Sequence, residues 1–207
     1  MINVAILGST GSIGVSTLDV ISRHPERYNA YALTANNNVE RLYQQCLRFL
    51  PDYAVMVDTA AAEKLSARLA QHEETQSIQV LSNTAGLDAV AALDAVDYVM
   101  AAIVGAAGLS SSLAAAKAGK RILLANKESL VMSGDLFMQT IRDNQATLLP
   151  IDSEHNAIFQ AMPSPSIDGQ QHSISSLGVT KILLTASGGP FLHKSLAELN
   201  HVTPDQA

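Results

Sequence analysis

The chain has 207 residues, a net charge of −6 and a hydrophobic share of 47%, enough for one large domain or one domain with part of a second. That apolar content excludes global disorder, and the acidic balance gives no electrostatic footprint for nucleic acid. The longest uncharged apolar stretch, Tyr98 to Leu109, is twelve residues, well short of the roughly 20 that cross a bilayer. The single cysteine, Cys46, excludes an intrachain disulfide framework and a cysteine-based zinc site.

Ile2 to Leu7 is an apolar, branched run that reads as a buried strand, and the N-terminus enters it with no sign of a secretory leader. Gly8-Ser9-Thr10-Gly11-Ser12-Ile13-Gly14 follows, and then a helical pattern of Val15, Leu18 and Ile21 up to Pro25. Strand, glycine turn and helix form the setting of a dinucleotide fingerprint, in which glycines admit a pyrophosphate and a helix N-terminus offers N–H donors. The spacing is Gly-x-x-Gly-x-x-Gly, and a glycine-rich turn without a ligand is the plain alternative. Ser9, Thr10 and Ser12 supply hydroxyls where phosphate oxygens would lie.

Asn29 to Thr34 reads as the second strand. Val39, Leu42, Tyr43, Cys46, Leu47 and Leu50 then mark an amphipathic helix that Pro51 ends, with Cys46 on its apolar face. Strands at 53–57, 78–81, 98–103 and 121–125 alternate with helices at 59–72, 84–93, 109–118 and about 128–144. Thr147 to Ile151 is one more strand, Glu154 to Met162 a short helix, 163–178 a polar loop, and Val179 to Leu184 a further strand. Strict alternation implies an α/β fold, a doubly wound, mostly parallel Rossmann-type sheet covered on both faces, with a domain boundary near residue 150. Thr203-Pro204-Asp205-Gln206 reads as a helix start, so the polypeptide is expected to be a piece of a longer one.

The place of the ribose-binding acid after the second strand holds Asn36, Asn37 and Asn38. Without a carboxylate there, a 2′-phosphate is tolerated and NADP is favoured over NAD; a simple asparagine turn is the competing reading. Two polar clusters sit at later strand ends, where ligands gather in open α/β sheets. In Asn126-Lys127-Glu128-Ser129, the polar residues suit helix caps, but a cation at a helix N-terminus calls for a ligand anion or a neighbouring carboxylate. In Asp152-Ser153-Glu154-His155-Asn156, an extended backbone would aim Asp152 and Glu154 the same way, as a pair of oxygen ligands for Mg²⁺ or Mn²⁺. An N-capped helix is the alternative. At a third strand end, Ser187-Gly188-Gly189 is suited to cradling a phosphate.

These stretches, with Leu124 to Val131, Asp152 to Gln160 and Ser187 to Phe191 in that order and spacing, resemble the 1-deoxy-D-xylulose 5-phosphate reductoisomerases over the whole chain. The resemblance implies an NADPH-dependent oxidoreductase and isomerase of non-mevalonate isoprenoid synthesis that yields 2-C-methyl-D-erythritol 4-phosphate. It implies a Rossmann domain over 1–150 and the start of an α+β catalytic domain over 151–207. It further implies NADPH contacts from Thr10, Gly11, Ser12 and Ile13 of the glycine loop and from Asn38, Asn126 and Glu128; the fingerprint itself adds Gly8 and Gly14, and the place after the second strand adds Asn36 and Asn37. Lys127, Ser153, Glu154 and Ser187 would bind the sugar phosphate, and Asp152 with Glu154 would hold the divalent cation. Catalytic roles would fall to Lys127, Asp152 and Glu154.

The lone cysteine reads as a reducing, cytoplasmic compartment, and charge and apolar run length give no nucleic-acid or membrane partner; the resemblance implies a homodimer for the full-length protein. The family often has Gly-Lys-Asn where this chain has Asn36-Asn37-Asn38, so only Asn38 carries over directly and the preference for NADPH is expected to be weaker. Family segments that complete the site lie beyond Ala207, and the 207 residues are expected to bind nucleotide with little or no turnover. The alternatives are another NADP-dependent dehydrogenase, or a non-catalytic nucleotide-sensing domain that would not need Asp152 and Glu154 to converge.

Overall fold

The computed structural model describes residues 1–163, 175, 178–183 and 189–206. Two compact units are present, Met1–Asn156 and Ala157–Ala207. The first contains a seven-stranded sheet: β1 Ile2–Leu7, β2 Tyr28–Ala35, β3 Tyr53–Met56, β4 Gln79–Ser82, β5 Tyr98–Ala101, β6 Arg121–Leu124 and β7 Thr147–Pro150. All neighbouring strands are parallel. The order β4-β3-β2-β1-β5-β6-β7 places the topological switch between β1 and β5, where ligands of doubly wound sheets sit.

Parallel strands need crossovers, and each strand is followed by a helix: α1 Ser12–Arg23, α2 Val39–Phe49, α3 Thr59–Leu69, α4 Asn83–Ala92, α5 Leu109–Lys117 and α6 Glu128–Asp143. The pleat divides the core in two. Val4, Ile6, Leu33 and Met56 pack with Leu18, Ile21, Leu42, Cys46 and Leu65 of α1 to α3. Ala5, Leu7, Val55 and Ile122 pack with Leu87, Val90, Ala115 and Phe137 of α4 to α6. Near-continuous apolar strands are what two covered faces require.

Cover on the α1 side is less complete than expected. Beyond α1, Tyr98, Met100, Leu123 and Ile151 form the floor of an apolar groove of about 540 Å³ whose wall is Ile13, Thr17, Val20 and Ile21. The cause is the winding itself: the crossovers α5 and α6 both lie on the opposite face.

Several boundaries shift. The second strand gains a residue at each end, the third helix stops at Leu69 rather than 72, and the strand beginning at Tyr98 stops at Ala101, before a short 3₁₀ turn at Ala106–Gly108. Leu50 is no longer helical; its left-handed backbone (φ 45°) closes α2 ahead of Pro51. α7, Ser153–Ala161, starts one residue early.

In the second unit, described by itself, Leu196–Leu199 form one helical turn held by a reciprocal capping box between Ser195 and Glu198. At the chain's end Pro204–Gln206 form a 3₁₀ turn, and the Thr203 N–H donates to the Gln206 side chain at 3.0 Å. The strand expected over Val179 to Leu184 is corrected: residues 179–183 take no strand conformation, and Leu184 lies outside the described residues. Branched side chains favour strands only where a neighbour supplies a ladder. None pairs with 179–183 among the described residues, and Leu183 is left 74% exposed. Most of the polar loop at 163–178, and Ser187 with its phosphate role, also lie outside the described residues.

Candidate nucleotide and metal sites

The glycine loop is folded against itself and against β2. Gly8 turns with φ +86°, a conformation that disfavours any side chain, and a Cβ there would meet the Ala102 carbonyl oxygen at 3.1 Å. Gly14 is buried, and a Cβ on it would strike the Gly8 carbonyl oxygen and lie 2.5 Å from Ser9 Cα. Both glycines are therefore demanded by the protein's own packing.

Gly11 is different. It is exposed, its backbone is extended (φ −77°, ψ 173°), and an added Cβ would make only an ordinary 3.4 Å contact. It stands at the N-cap of α1 with no side-chain cap, so the first N–H groups of that 12-residue helix face outward.

Gly8, Thr10 and Gly11 border a cavity of about 340 Å³ at the carboxyl ends of the strands, together with Thr34 of β2, Asn36 just after it and Ile103 from beyond β5. Ser12 and Ile13 instead border the apolar groove beside α1. Ser9 corrects one expectation. Its hydroxyl is fully buried, 2.7 Å from Gln45 Oε1 and 3.0 Å from the Thr34 carbonyl oxygen, so it faces the protein and not a phosphate.

Of the three asparagines, Asn36 reaches the cavity. Asn37 is exposed and its carbonyl accepts from Val39 N–H. Asn38 caps α2 by accepting from Arg41 N–H at 3.0 Å, so its amide oxygen is committed to the helix.

Asn126 is 2% exposed and uses its whole amide within the protein. Its Nδ2 donates to the carbonyls of Ile103 and, at 2.9 Å, Gly105; its Oδ1 caps α6 by accepting from Ser129 N–H. It thereby braces the 103–105 loop on the rim of the nucleotide-side cavity. Glu128 lies in the first turn of α6, suited to its dipole.

The misfit cation has a neighbouring carboxylate. Lys127 Nζ lies 3.2 Å from Asp152 Oδ2, joining the two polar clusters. This hydrogen bond raises the Lys127 pKa and is the largest cause holding the Asp152 carboxyl below its ordinary range. Desolvation opposes the Asp152 shift, and a hydrogen bond with the Glu154 carboxyl adds to it. His155 Nδ1 stands 3.6 Å from Asp152 Oδ1.

Asp152 and Glu154 do come together, but not on extended backbone. α7 begins at Ser153, and the Asp152 carbonyl accepts from Asn156 N–H at 2.8 Å. Of the two readings of this stretch, the helix start is the one the chain adopts. Among the described residues no group of three or more His, Cys, Asp or Glu side chains is arranged for a metal ion. Two carboxylates still fit Mg²⁺ or Mn²⁺, which retain waters and complete their shell with substrate oxygens. Ser153 is exposed at the first turn of α7 beside them.

Thr34 and Gln45 had no place among the expected site residues. One signal was available for Gln45, an amide three residues from Leu42 and adjacent to Cys46 on an otherwise apolar helix face. Thr34 gave none.

A seven-stranded, doubly wound parallel sheet with a glycine loop at its switch point defines a Rossmann-type α/β protein of the dinucleotide-binding class. The chain matches the family model 1-deoxy-D-xylulose 5-phosphate reductoisomerase over residues 4–134 and that family's C-terminal domain over 148–207. The chain belongs to this family.

It is 58% identical to the reductoisomerase of Nitrosococcus oceani over 207 residues, covering 100% of this chain and 51% of that protein. It is 59% identical to that of Methylobacillus flagellatus over 205 residues, covering 99% and 50%. A DOX-P reductoisomerase crystal structure in complex with NADPH, fosmidomycin and magnesium superposes with TM-score 0.85 at 47% identity, over 100% of this chain and 50% of the other. The Zymomonas mobilis enzyme in complex with NADPH gives 0.83 at 43%, over 100% and 51%. The chain thus spans about half the length of the relatives it matches.

Proposed function

We propose that this chain carries the NADPH site and part of the metal and substrate site of an enzyme converting 1-deoxy-D-xylulose 5-phosphate to 2-C-methyl-D-erythritol 4-phosphate. The observation that carries the nucleotide reading is Gly11. Packing explains Gly8 and Gly14 but does not require a glycine at 11; a ligand approaching the bare α1 N-terminus does. NADPH would lie along Gly8 to Gly14 with its pyrophosphate at the N–H groups of Thr10, Ser12 and Ile13 and close against the bare Cα of Gly11, whose own N–H donates to the Gly8 carbonyl at 3.1 Å. Asn36 and Asn37 would face the 2′-phosphate, Asn38 would hold their turn, and Asn126 and Glu128 would border the far end.

When bound, NADPH supplies a hydride and the divalent cation polarises the substrate carbonyl. Asp152 and Glu154 would supply oxygen donors to the metal. Lys127, paired with Asp152 at 3.2 Å, would bind a substrate oxygen. Ser153 and Ser187 take substrate hydroxyl and phosphate oxygens.

Division into a nucleotide-binding part over 1–150 and a catalytic part over 151–207 belongs to the same reading. So do a cytoplasmic location, consistent with the one thiol being buried, and assembly as a homodimer, which family resemblance supports. No helix among the described residues is long and apolar enough to cross a membrane.

The test is a titration of the purified 207-residue chain with NADPH, followed by 1-deoxy-D-xylulose 5-phosphate with and without Mg²⁺ or Mn²⁺. Saturable NADPH binding is expected. Sugar-phosphate binding that needs the metal and is lost in Asp152→Asn and Glu154→Gln is expected after it. Absence of NADPH binding overturns the nucleotide assignment, and metal-independent sugar-phosphate binding overturns the roles of Asp152 and Glu154.

A further inference from the structure

α2 turns Leu42, Tyr43 and Cys46 into the core, and among them stands Gln45, only 9% exposed. A buried primary amide is costly unless both ends are bonded, and an apolar residue would pack there without that demand. Both ends of this amide go to one residue 36 positions away. Nε2 donates to the Ser9 carbonyl oxygen at 2.9 Å, and Oε1 accepts from the Ser9 hydroxyl at 2.7 Å. β2 completes the hold: the Gly8 N–H donates to Thr34 Oγ1 at 2.9 Å and the Ser9 N–H to the Thr34 carbonyl at 2.8 Å. Ser9 and Thr34 are both fully buried.

The consequence follows from peptide geometry. The Ser9 carbonyl and the Thr10 N–H belong to one planar trans peptide, so they point in opposite directions. With the carbonyl pinned inward by Gln45, the Thr10 N–H is turned outward, toward the cavity that Thr10 and Gly11 border. That N–H donates to no acceptor among the described residues. The same pin keeps a carbonyl lone pair away from the place where an anion would sit.

We propose that Gln45 is a positioning residue for the nucleotide site: by clamping Ser9 it fixes the Ser9–Thr10 peptide so that the Thr10 N–H is presented to the pyrophosphate of the bound nucleotide. This rests on the nucleotide reading above and adds to it a residue that never touches the ligand. It predicts a selective loss. Gln45→Met, close in size and unable to hold the carbonyl, frees that peptide to turn, and only a ligand that reaches it will notice.

The experiment measures dissociation constants of the 207-residue chain for NADPH and for adenosine 2′-phosphate, which has the nucleoside end but no pyrophosphate. Far-UV circular dichroism of each variant is recorded alongside. In Gln45→Met the NADPH constant is expected to rise at least tenfold, with adenosine 2′-phosphate changed less than twofold. Ser9→Ala, which removes one leg of the clamp, is expected to give about a threefold rise for NADPH alone; it serves as the test if Gln45→Met does not fold.

Equal weakening of both ligands means general damage to the domain and overturns the proposal. So does NADPH binding within twofold of the parent chain in folded Gln45→Met, or in Ser9→Ala where that variant is the test. If the parent chain binds no NADPH, the nucleotide reading falls and this inference with it; if it binds and the variants are indifferent, only this inference falls.

Discussion

The two ends of the proposed site are built in opposite ways. At the glycine loop the polar side chains are buried and bonded to one another: Ser9, Thr34 and Gln45 are each 9% exposed or less, and their hydrogen bonds run among themselves and to the loop backbone. At the β6 and β7 ends the charged groups stand in the open, with Lys127, Ser153 and Glu154 exposed and Asp152 held chiefly by Lys127. The first is a preformed receptor whose cost is met in folding. The second is a set of charges balanced among themselves until ligands arrive. Preorganisation reduces what binding must later spend on ordering, so the nucleotide end should be sensitive to packing changes and the metal end to charge changes.

The largest effect should come from Gly14→Ala. Its Cβ would meet backbone, which has little freedom to move, so a loss of about 1–3 kcal/mol or more is expected in chemical denaturation, with NADPH binding abolished. Next, Asn126→Ala removes a cap and leaves two loop carbonyls short of a donor. About 1–2 kcal/mol should be lost, read as a lowered denaturation midpoint and raised protease sensitivity around 103–105.

Lys127→Met tests the other end and should leave the unfolding temperature nearly unchanged. Its signature is the Asp152 carboxyl, whose pKa, followed by NMR, should climb back toward the ordinary range. A depressed folded-state pKa adds stability that is present above the unfolded value of 3.8 and lost as pH falls through the lower folded value. The variant should therefore show less acid sensitivity in that window than the parent.

The smallest effect expected is no reaction at all. Burial pushes the Cys46 thiol up to about 12, so it should resist alkylation at pH 8 in the folded chain and react fully in denaturant. Fast labelling of the native protein would show that the face of α2 carrying Gln45 is less closed than the fold implies.

Legibility in the sequence followed the same division. All seven strands of the sheet were readable because a strand buried on both faces writes an apolar run into adjacent residues. The glycine loop was readable for the same local reason. The awkward charge of Lys127 correctly anticipated a neighbouring carboxylate, since a helix N-terminus is a poor place for a cation.

What could not be read depended on contacts across the fold. The inward turn of the Ser9 hydroxyl is decided by Gln45 and Thr34, 36 and 25 residues away. The helix after β7 was legible to within one residue, but that Asp152 is the carboxylate Lys127 meets, 25 residues away, was not. The strand expected over 179–184 had the right side chains, but among the described residues no strand pairs with 179–183.

The central claim is that Gly11 is a glycine for the ligand and not for the fold. A NADPH titration of Gly11→Ala beside the parent chain, with thermal unfolding of both, tests it most directly. Unfolding temperatures that coincide and a NADPH dissociation constant raised at least tenfold in the variant are expected. Unchanged NADPH affinity in a stably folded Gly11→Ala would contradict it.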